Sequence, residues 1–269
     1  MNRAIRVFGQ VMVAVVLVAS MARPAAAAPF AYAVTTDSIL YTVDLATGLP
    51  TLIGGTGVFL ESIALSPGGQ LYGMDVNGNL YSLNAGTGVA TLIASSGLGN
   101  IEALDFNGNT LVAVDFGDTP TAWSIDTTTA VPTSITTASA ATGSVRSGAI
   151  ESPTTMLIRG DAGLGCLSEC LFRLNLTTGG VALIGGISGA GTSLFAAIDF
   201  AGGVLYGLND AGQLYSINTT TAVATPIGAS SRLFYLGMAT VDQVVPEPAT
   251  MVLVGSGVLA AFARRRRAS

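Results

Sequence analysis

Residues 70–93 read Gln70-Leu71-Tyr72-Gly73-Met74, a turn at Asn77-Gly78, then Leu80-Tyr81-Ser82-Leu83-Asn84, a turn at Gly86-Thr87-Gly88, and finally Thr91-Leu92-Ile93. Short runs of aromatic and branched residues between glycine-containing turns are the signature of consecutive β-hairpins. Asn77-Gly78 predicts a type I′ turn, in which both central residues take positive φ. Upstream, Ser62-Ile63-Ala64-Leu65 reads as one more strand. Four strands in roughly 40 residues is the size of one blade of a propeller.

The pattern recurs. Leu40–Asp44, Leu80–Asn84, Ala122–Asp126, Leu171–Asn175 and Leu214–Asn218 align on the aromatics Tyr41, Tyr81, Trp123, Phe172 and Tyr215, with spacings of 40, 42, 49 and 43 residues. Each segment runs into a Thr- or Gly-rich turn and a further apolar strand, as in Thr177-Thr178-Gly179 before Ala182-Leu183-Ile184-Gly185. The first copy lacks an inner strand, and after the fifth a lone segment, Leu236–Val241, has the inner-strand pattern. Pairing that segment with the first copy completes a fifth blade and removes the raw edges of an open array. The expectation is therefore an all-β, five-bladed β-propeller closed by Leu236–Val241, with a β-sandwich or solenoid as the alternative. The long spacing places an enlarged loop at Arg159–Cys170, in blade four. One aromatic per blade at equivalent positions is what packing between blades demands, ahead of a sugar-stacking surface.

Composition narrows the functions available. Residues 28–244 hold four arginines and 15 acidic residues, a net charge of −11, and the chain has no lysine and no histidine. So acidic a surface is unsuited to nucleic acid or anionic lipid. Without histidine there is no Ser-His-Asp triad, no imidazole base and no His-ligated metal, so no enzyme activity is expected. Cys166 and Cys170 are the only cysteines, and in an exported protein a disulfide pinning a small loop is the natural reading. Two free thiols are the alternative.

Both ends carry addresses. Arg3 and Arg6 precede the apolar run Val11–Ala19, and Ala25 to Ala28 offer small residues for cleavage after Ala27. Residues 1–27 thus read as a signal peptide, forming a helix, with an uncleaved anchor as the alternative. At the other end, residues 245–269 contain Pro246-Glu247-Pro248, the apolar run Ala249–Ala263 and Arg264, Arg265, Arg266 and Arg267. An apolar run of this length predicts a transmembrane helix, and a basic cluster behind it stays on the cytoplasmic side. This tail, about a tenth of the chain, resembles the PEP-CTERM sorting signal of Gram-negative bacteria. The resemblance implies that an exosortase recognises Pro246-Glu247-Pro248 and cuts near it. The precursor would be held transiently in the inner membrane, and the product passed to the cell envelope or extracellular matrix. The repeats are also similar, more loosely, to propeller-like domains attached to such tails.

Three carboxylates stand out in the repeat domain. Glu61, Glu102 and Glu151 read as starting the inner strands of blades two to four, which would place them around one mouth of the central channel. A ring of that kind can bind Ca²⁺ through oxygen ligands or, with raised pKa values, act as an acid. The alternative is that they are solvated residues at strand starts. Asp75-Val76-Asn77-Gly78-Asn79 looks like half a calcium loop but lies where a hairpin turn is required. No metal or other cofactor is otherwise called for, Ca²⁺ being the one candidate. The reading that follows is an exported, non-enzymatic module of structural, adhesive or glycan-binding role, with extracellular polysaccharide as its partner. A carboxylate-dependent glycan hydrolase or lyase, or a Ca²⁺-binding module, is the alternative.

Overall fold

The computed structural model describes residues 29–191 and 194–241, all of whose regular elements are strands. The signal helix, the C-terminal transmembrane helix, Pro246-Glu247-Pro248 and Arg264–Arg267 lie outside the described residues. Among the described residues, no helix is long and apolar enough to cross a membrane.

Twenty strands form five four-stranded antiparallel sheets. The first copy supplies β1 (Phe30–Thr35), β2 (Ile39–Asp44) and β3 (Pro50–Gly55). Blade two is β4 (Ser62–Leu65), β5 (Leu71–Met74), β6 (Asn79–Leu83) and β7 (Ala90–Ser95). Blade three is β8 (Ile101–Asn107), β9 (Thr110–Asp115), β10 (Thr121–Ile125) and β11 (Pro132–Thr137). Blade four is β12 (Val145–Ser152), β13 (Thr155–Gly160), β14 (Cys170–Asn175) and β15 (Val181–Gly186). Blade five is β16 (Phe195–Ala201), β17 (Val204–Asn209), β18 (Leu214–Ile217) and β19 (Ala224–Ile227). The last strand, β20 (Tyr235–Val241), pairs with β1 in the order β20-β1-β2-β3, so the first blade is built from both ends of the repeat array.

The core lies between blades. Ala64, Met74 and Leu80 of blade two pack on Leu104, Leu111 and Ile125 of blade three. Equivalent clusters lie between blades three and four and between four and five. Two more join the strands of the first copy to blade five and to blade two. The repeated aromatic belongs to this packing: Tyr81, Phe172 and Tyr215 are buried, while Tyr41 and Trp123 are half-buried. Its polar atom is met by the residue that ends or directly follows the second strand. Asp75 Oδ2 accepts from Tyr81 Oη at 3.0 Å, and Asp115 Oδ2 accepts from Trp123 Nε1 at 3.1 Å. In blade four the aromatic is Phe172, which needs no acceptor, and the partner position is Gly160.

Turn chemistry explains why an Asp or Asn always ends or directly follows the third strand. The side-chain oxygen of Asp44, Asn84, Asp126, Asn175 and Asn218 accepts the backbone N–H groups two and three residues on. This Asx arrangement starts the turn in every blade. Hydrogen bonds from the Thr128 hydroxyl, then from the N–H groups of Thr128 and Thr129, hold Asp126 down at about 2. At Asn77-Gly78 the expected type I′ turn is replaced. Gly78 has φ of 73° but Asn77 does not take positive φ, and Gly78 N–H donates to Asp75 O at 3.0 Å. The turn is thus a type I turn followed by a left-handed glycine. The Asp75 carboxylate selects it by accepting from the N–H groups of Asn77 and Asn79.

Candidate functional site

The inner strands show how the mouth of the propeller is assembled. In β8, β12, β16 and β20 the register slips by one residue near the strand start, leaving Glu102, Arg146, Ala196 and Leu236 outside the ladder. Such a bulge re-aims the extra side chain away from the sheet. Glu61 stands at the same place in blade two, directly before β4, its N–H donating to Met74 O at 3.0 Å. The five mouth positions are therefore Glu61, Glu102, Arg146, Ala196 and Leu236. Two residues earlier in each chain segment stand Phe59, Asn100, Ser144, Leu194 and Phe234. Four of these accept an equivalent backbone bond: Asn100 O from Phe116 N, Ser144 O from Asp161 N, Leu194 O from Asp210 N and Phe234 O from Thr36 N.

Glu151 does not belong to this ring. It is the seventh residue of β12, at the end away from the mouth. There it forms a two-pronged pair with Arg173, at 2.8 and 2.9 Å, and Arg173 also donates to Thr219 O of blade five. The expectation placed the inner strand too late, because Pro153-Thr154 is the turn after that strand and not part of it. Glu151 thus struts two blades at the opposite face, and Arg146 takes the mouth position of blade four.

The mouth is two-sided. On blades two to four it is ionic. Asn100 Nδ2 donates to Glu102 Oε1 at 2.8 Å, and Arg146 lies 3.9 Å from the same oxygen. Arg146 also pairs with Asp161 at 3.3 Å and lies over the ring of Phe116, 4.9 Å from its centroid. Beneath it Arg159, 2% exposed, pairs with Asp161 at 2.9 Å and Glu169 at 3.2 Å. Glu169 in turn accepts the N–H of Phe195, tying blade four to blade five. Burial drives Glu61 up to about 7, helped by the charges of Glu102 and Asp75 and opposed by Arg146. Burial also raises Glu102 and Glu169, against the donors and arginines around each. On blades five, one and two the mouth is apolar, with Phe59, Leu194 and Phe234 exposed to solvent.

Inside the mouth a cavity of about 10 Å³ is lined by Ser62, Glu102, Ser147, Gly237 and Met238, among others. That is space for a single water-sized species. Among the described residues, three buried oxygens find no hydrogen-bond partner: Ser147 Oγ in this cavity, and Glu61 Oε2 and Asn100 Oδ1 at the mouth. Cys166 and Cys170 are joined by a disulfide that pins the last turn of the long loop, which bears Glu169 and the exposed Leu167. Among the described residues, no three cysteine or acidic side chains gather into a group able to hold a metal. Lower in the ring, Asp105 accepts from Ile150 N and Asp199 from Thr240 N, each reaching the next blade's inner strand. Burial, with the charge of Asp199, raises Asp105 well above the usual carboxylate range.

The sequence reading missed Arg146, Asn100, Phe59 and Phe234. Their signal is position: each falls on the bulged residue or two before it, and that register becomes visible only once the inner strands are paired.

Residues 244–267 match the PEP-CTERM protein-sorting motif. The motif implies export, a membrane-anchored precursor and processing by an exosortase. No curated protein is similar enough to match. Among solved structures the fold is similar to a protein of unknown function from Bacteroides caccae. The TM-score is 0.54 at 12% identity, covering 80% of this chain and 99% of that one. The WD40 β-propeller domain of Doa1 aligns with a TM-score of 0.43 at 11% identity, covering 76% of this chain and 67% of that domain.

Proposed function

We propose that this exosortase-sorted, exported propeller is a non-enzymatic module that binds polysaccharide outside the cell through the mouth face bearing Glu61 and Glu102. The observation that carries the reading is the pairing, on one face, of exposed aromatic rings with hydrogen-bonding carboxylates. Phe59 and Phe234 offer apolar faces for sugar rings, and the acids and Asn100 offer acceptors for their hydroxyls. Small-ligand sites combine apolar walls with a few convergent polar groups in this way. The reading takes residues 1–27 as a cleaved signal, 28–244 as the propeller and 245–269 as the sorting segment. It takes the ring as closed through the β20–β1 pairing, and the released protein as resident in the envelope or extracellular matrix. No resident cofactor is assigned.

Purified protein should co-sediment with the host's own exopolysaccharide without releasing oligosaccharide; absence of binding would end the reading. Deleting Val245–Ser269 should abolish processing and change the protein's cell fraction. Glu61 supports a second reading. A carboxyl held near 7 is suited to general-acid chemistry on a glycan. Release of reducing ends by the parent protein, lost in Glu61→Gln, would favour that enzyme over the binding module.

A further inference from the structure

The orphan atoms at the mouth say what a ligand must bring. Asn100 Oδ1 accepts only, as does Glu61 Oε2 once its carboxyl is ionised, and both are buried without a donor. Ser147 Oγ, on a residue 4% exposed, lines the same cavity as Glu102 and also lacks a partner. Leaving such groups unsatisfied costs about 1–3 kcal/mol each, so a ligand that fills them supplies N–H or O–H donors. The arginines beside the acids are already engaged: Arg146 by Asp161 and the Phe116 ring, Arg159 by Asp161 and Glu169. Glu61 has no ion pair of its own among the described contacts, and Glu102 has only the long one to Arg146. A donor that is also positively charged answers both deficits, since charge-assisted hydrogen bonds are about twice as strong as neutral ones.

The opposite half of the mouth constrains the rest of the ligand. Phe59, Leu194 and Phe234 stand at equivalent positions of blades two, five and one, with Phe234 61% exposed. A small inorganic cation makes no use of them. A sugar ring has an apolar face to lay against an aromatic side chain and polar edges to turn toward the acids.

The geometry points to a polysaccharide bearing free ammonium groups, an amino-sugar polymer, as the ligand of this mouth. The inference rests on the polysaccharide-binding reading and narrows it. The ammonium lies between Glu61 and Glu102 with Asn100 Oδ1 as a further acceptor, and the sugar ring lies against Phe234 and Phe59.

The test is calorimetric titration of the full-length protein, in detergent, with three hexasaccharides: β-1,4-glucosamine, β-1,4-N-acetylglucosamine and an anionic uronate. The glucosamine hexamer should bind at least about tenfold tighter than the acetylated one, with the gap narrowing as salt is raised. Glu61→Gln and Glu102→Gln should each remove most of that preference. Phe234→Ala should weaken both neutral and cationic ligands. Glu151→Gln, on the far face, should leave binding unchanged, and melting curves identify any variant that fails to fold. Equal affinity for the acetylated and free amines would overturn the ammonium claim and leave polysaccharide binding standing. A loss in Glu151→Gln equal to that in Glu61→Gln would mean unspecific charge attraction and would overturn it too. Failure of all three hexamers to bind would overturn the ammonium claim, and co-sedimentation with the host's own exopolysaccharide then decides whether the wider reading stands.

Discussion

Replacing Glu169 by alanine should be among the most damaging single changes at the mouth. Its carboxylate meets Arg159, which is 2% exposed, and also accepts the N–H of Phe195, whose side chain is fully buried. Burial outweighs its partners and keeps this carboxyl above its usual range, so the pair is itself costly to bury. Breaking it costs more, because a guanidinium in the interior is then left with only the half-exposed Asp161. Removing one member of a buried pair costs about 3–5 kcal/mol, and an orphaned buried N–H about 1–3 kcal/mol. The two losses share one carboxylate and overlap, and Asp161 retains part of the pairing, so a total of about 4 kcal/mol is expected. For a domain of this size each kcal/mol shifts the melting temperature by about 2–4 °C, giving a fall of about 8–16 °C. Thermal unfolding followed by near-UV circular dichroism reads it directly. The double change Arg159→Met with Glu169→Met should recover most of the loss, because two apolar side chains leave no unpaired charge. A fall under about 2 °C in Glu169→Ala, or a double variant no better than the single, would refute the reasoning.

Other tests follow from the same contacts. Glu61 is raised from 4.5 to about 7 by burial, then by Glu102 and Asp75, with Arg146 opposing. A raised folded pKa means its stabilising contribution is full below about 4.5, falls as pH climbs through about 7 and is flat above. Glu61→Gln should therefore flatten the pH dependence of unfolding between those limits in denaturant titrations. An unchanged slope would assign it to another group. Reducing the Cys166–Cys170 bridge opens a very short loop, worth about 2 kcal/mol by chain entropy, and should lower the melting temperature by about 4–8 °C in dithiothreitol. No shift would mean the loop is held by its other contacts alone. Gly78 and Gly97 both have positive φ, 73° and 70°, but only at Gly78 would a Cβ stand 2.2 Å from a carbonyl oxygen, that of Leu98. Gly97→Ala should thus cost about 1 kcal/mol from backbone strain and Gly78→Ala clearly more; equal losses would show that the close approach relaxes.

Sequence by itself determined what is local or repeated. The alternation of short apolar runs and turns set the strands, their grouping by four and the number of copies. The apolar run and basic cluster at the C-terminal end carry the address matched at residues 244–267. Such features are legible because a strand, a turn or a sorting motif is specified by neighbours in the chain. Leu236 to Val241 could be matched to the first copy for the same reason: its pattern is that of an inner strand with nothing beside it in sequence.

The mouth was decided elsewhere. A one-residue slip in register changes which side chain leaves the sheet, and the bulges in β8, β12, β16 and β20 put Glu102, Arg146, Ala196 and Leu236 there. Glu151 looked like the third acid of a ring because spacing alone cannot show where β12 begins. Tertiary pairing moved it to the far face, against Arg173. Arg159 and Glu169 are likewise ten residues apart in the chain, yet they meet because β13 and β14 pair and bring the two ends of the loop together. Which groups become buried, and so which carboxyls are raised and which oxygens lack partners, depends on neighbours from other blades. Local pattern carries no record of those neighbours, which arrive only when the blades pack.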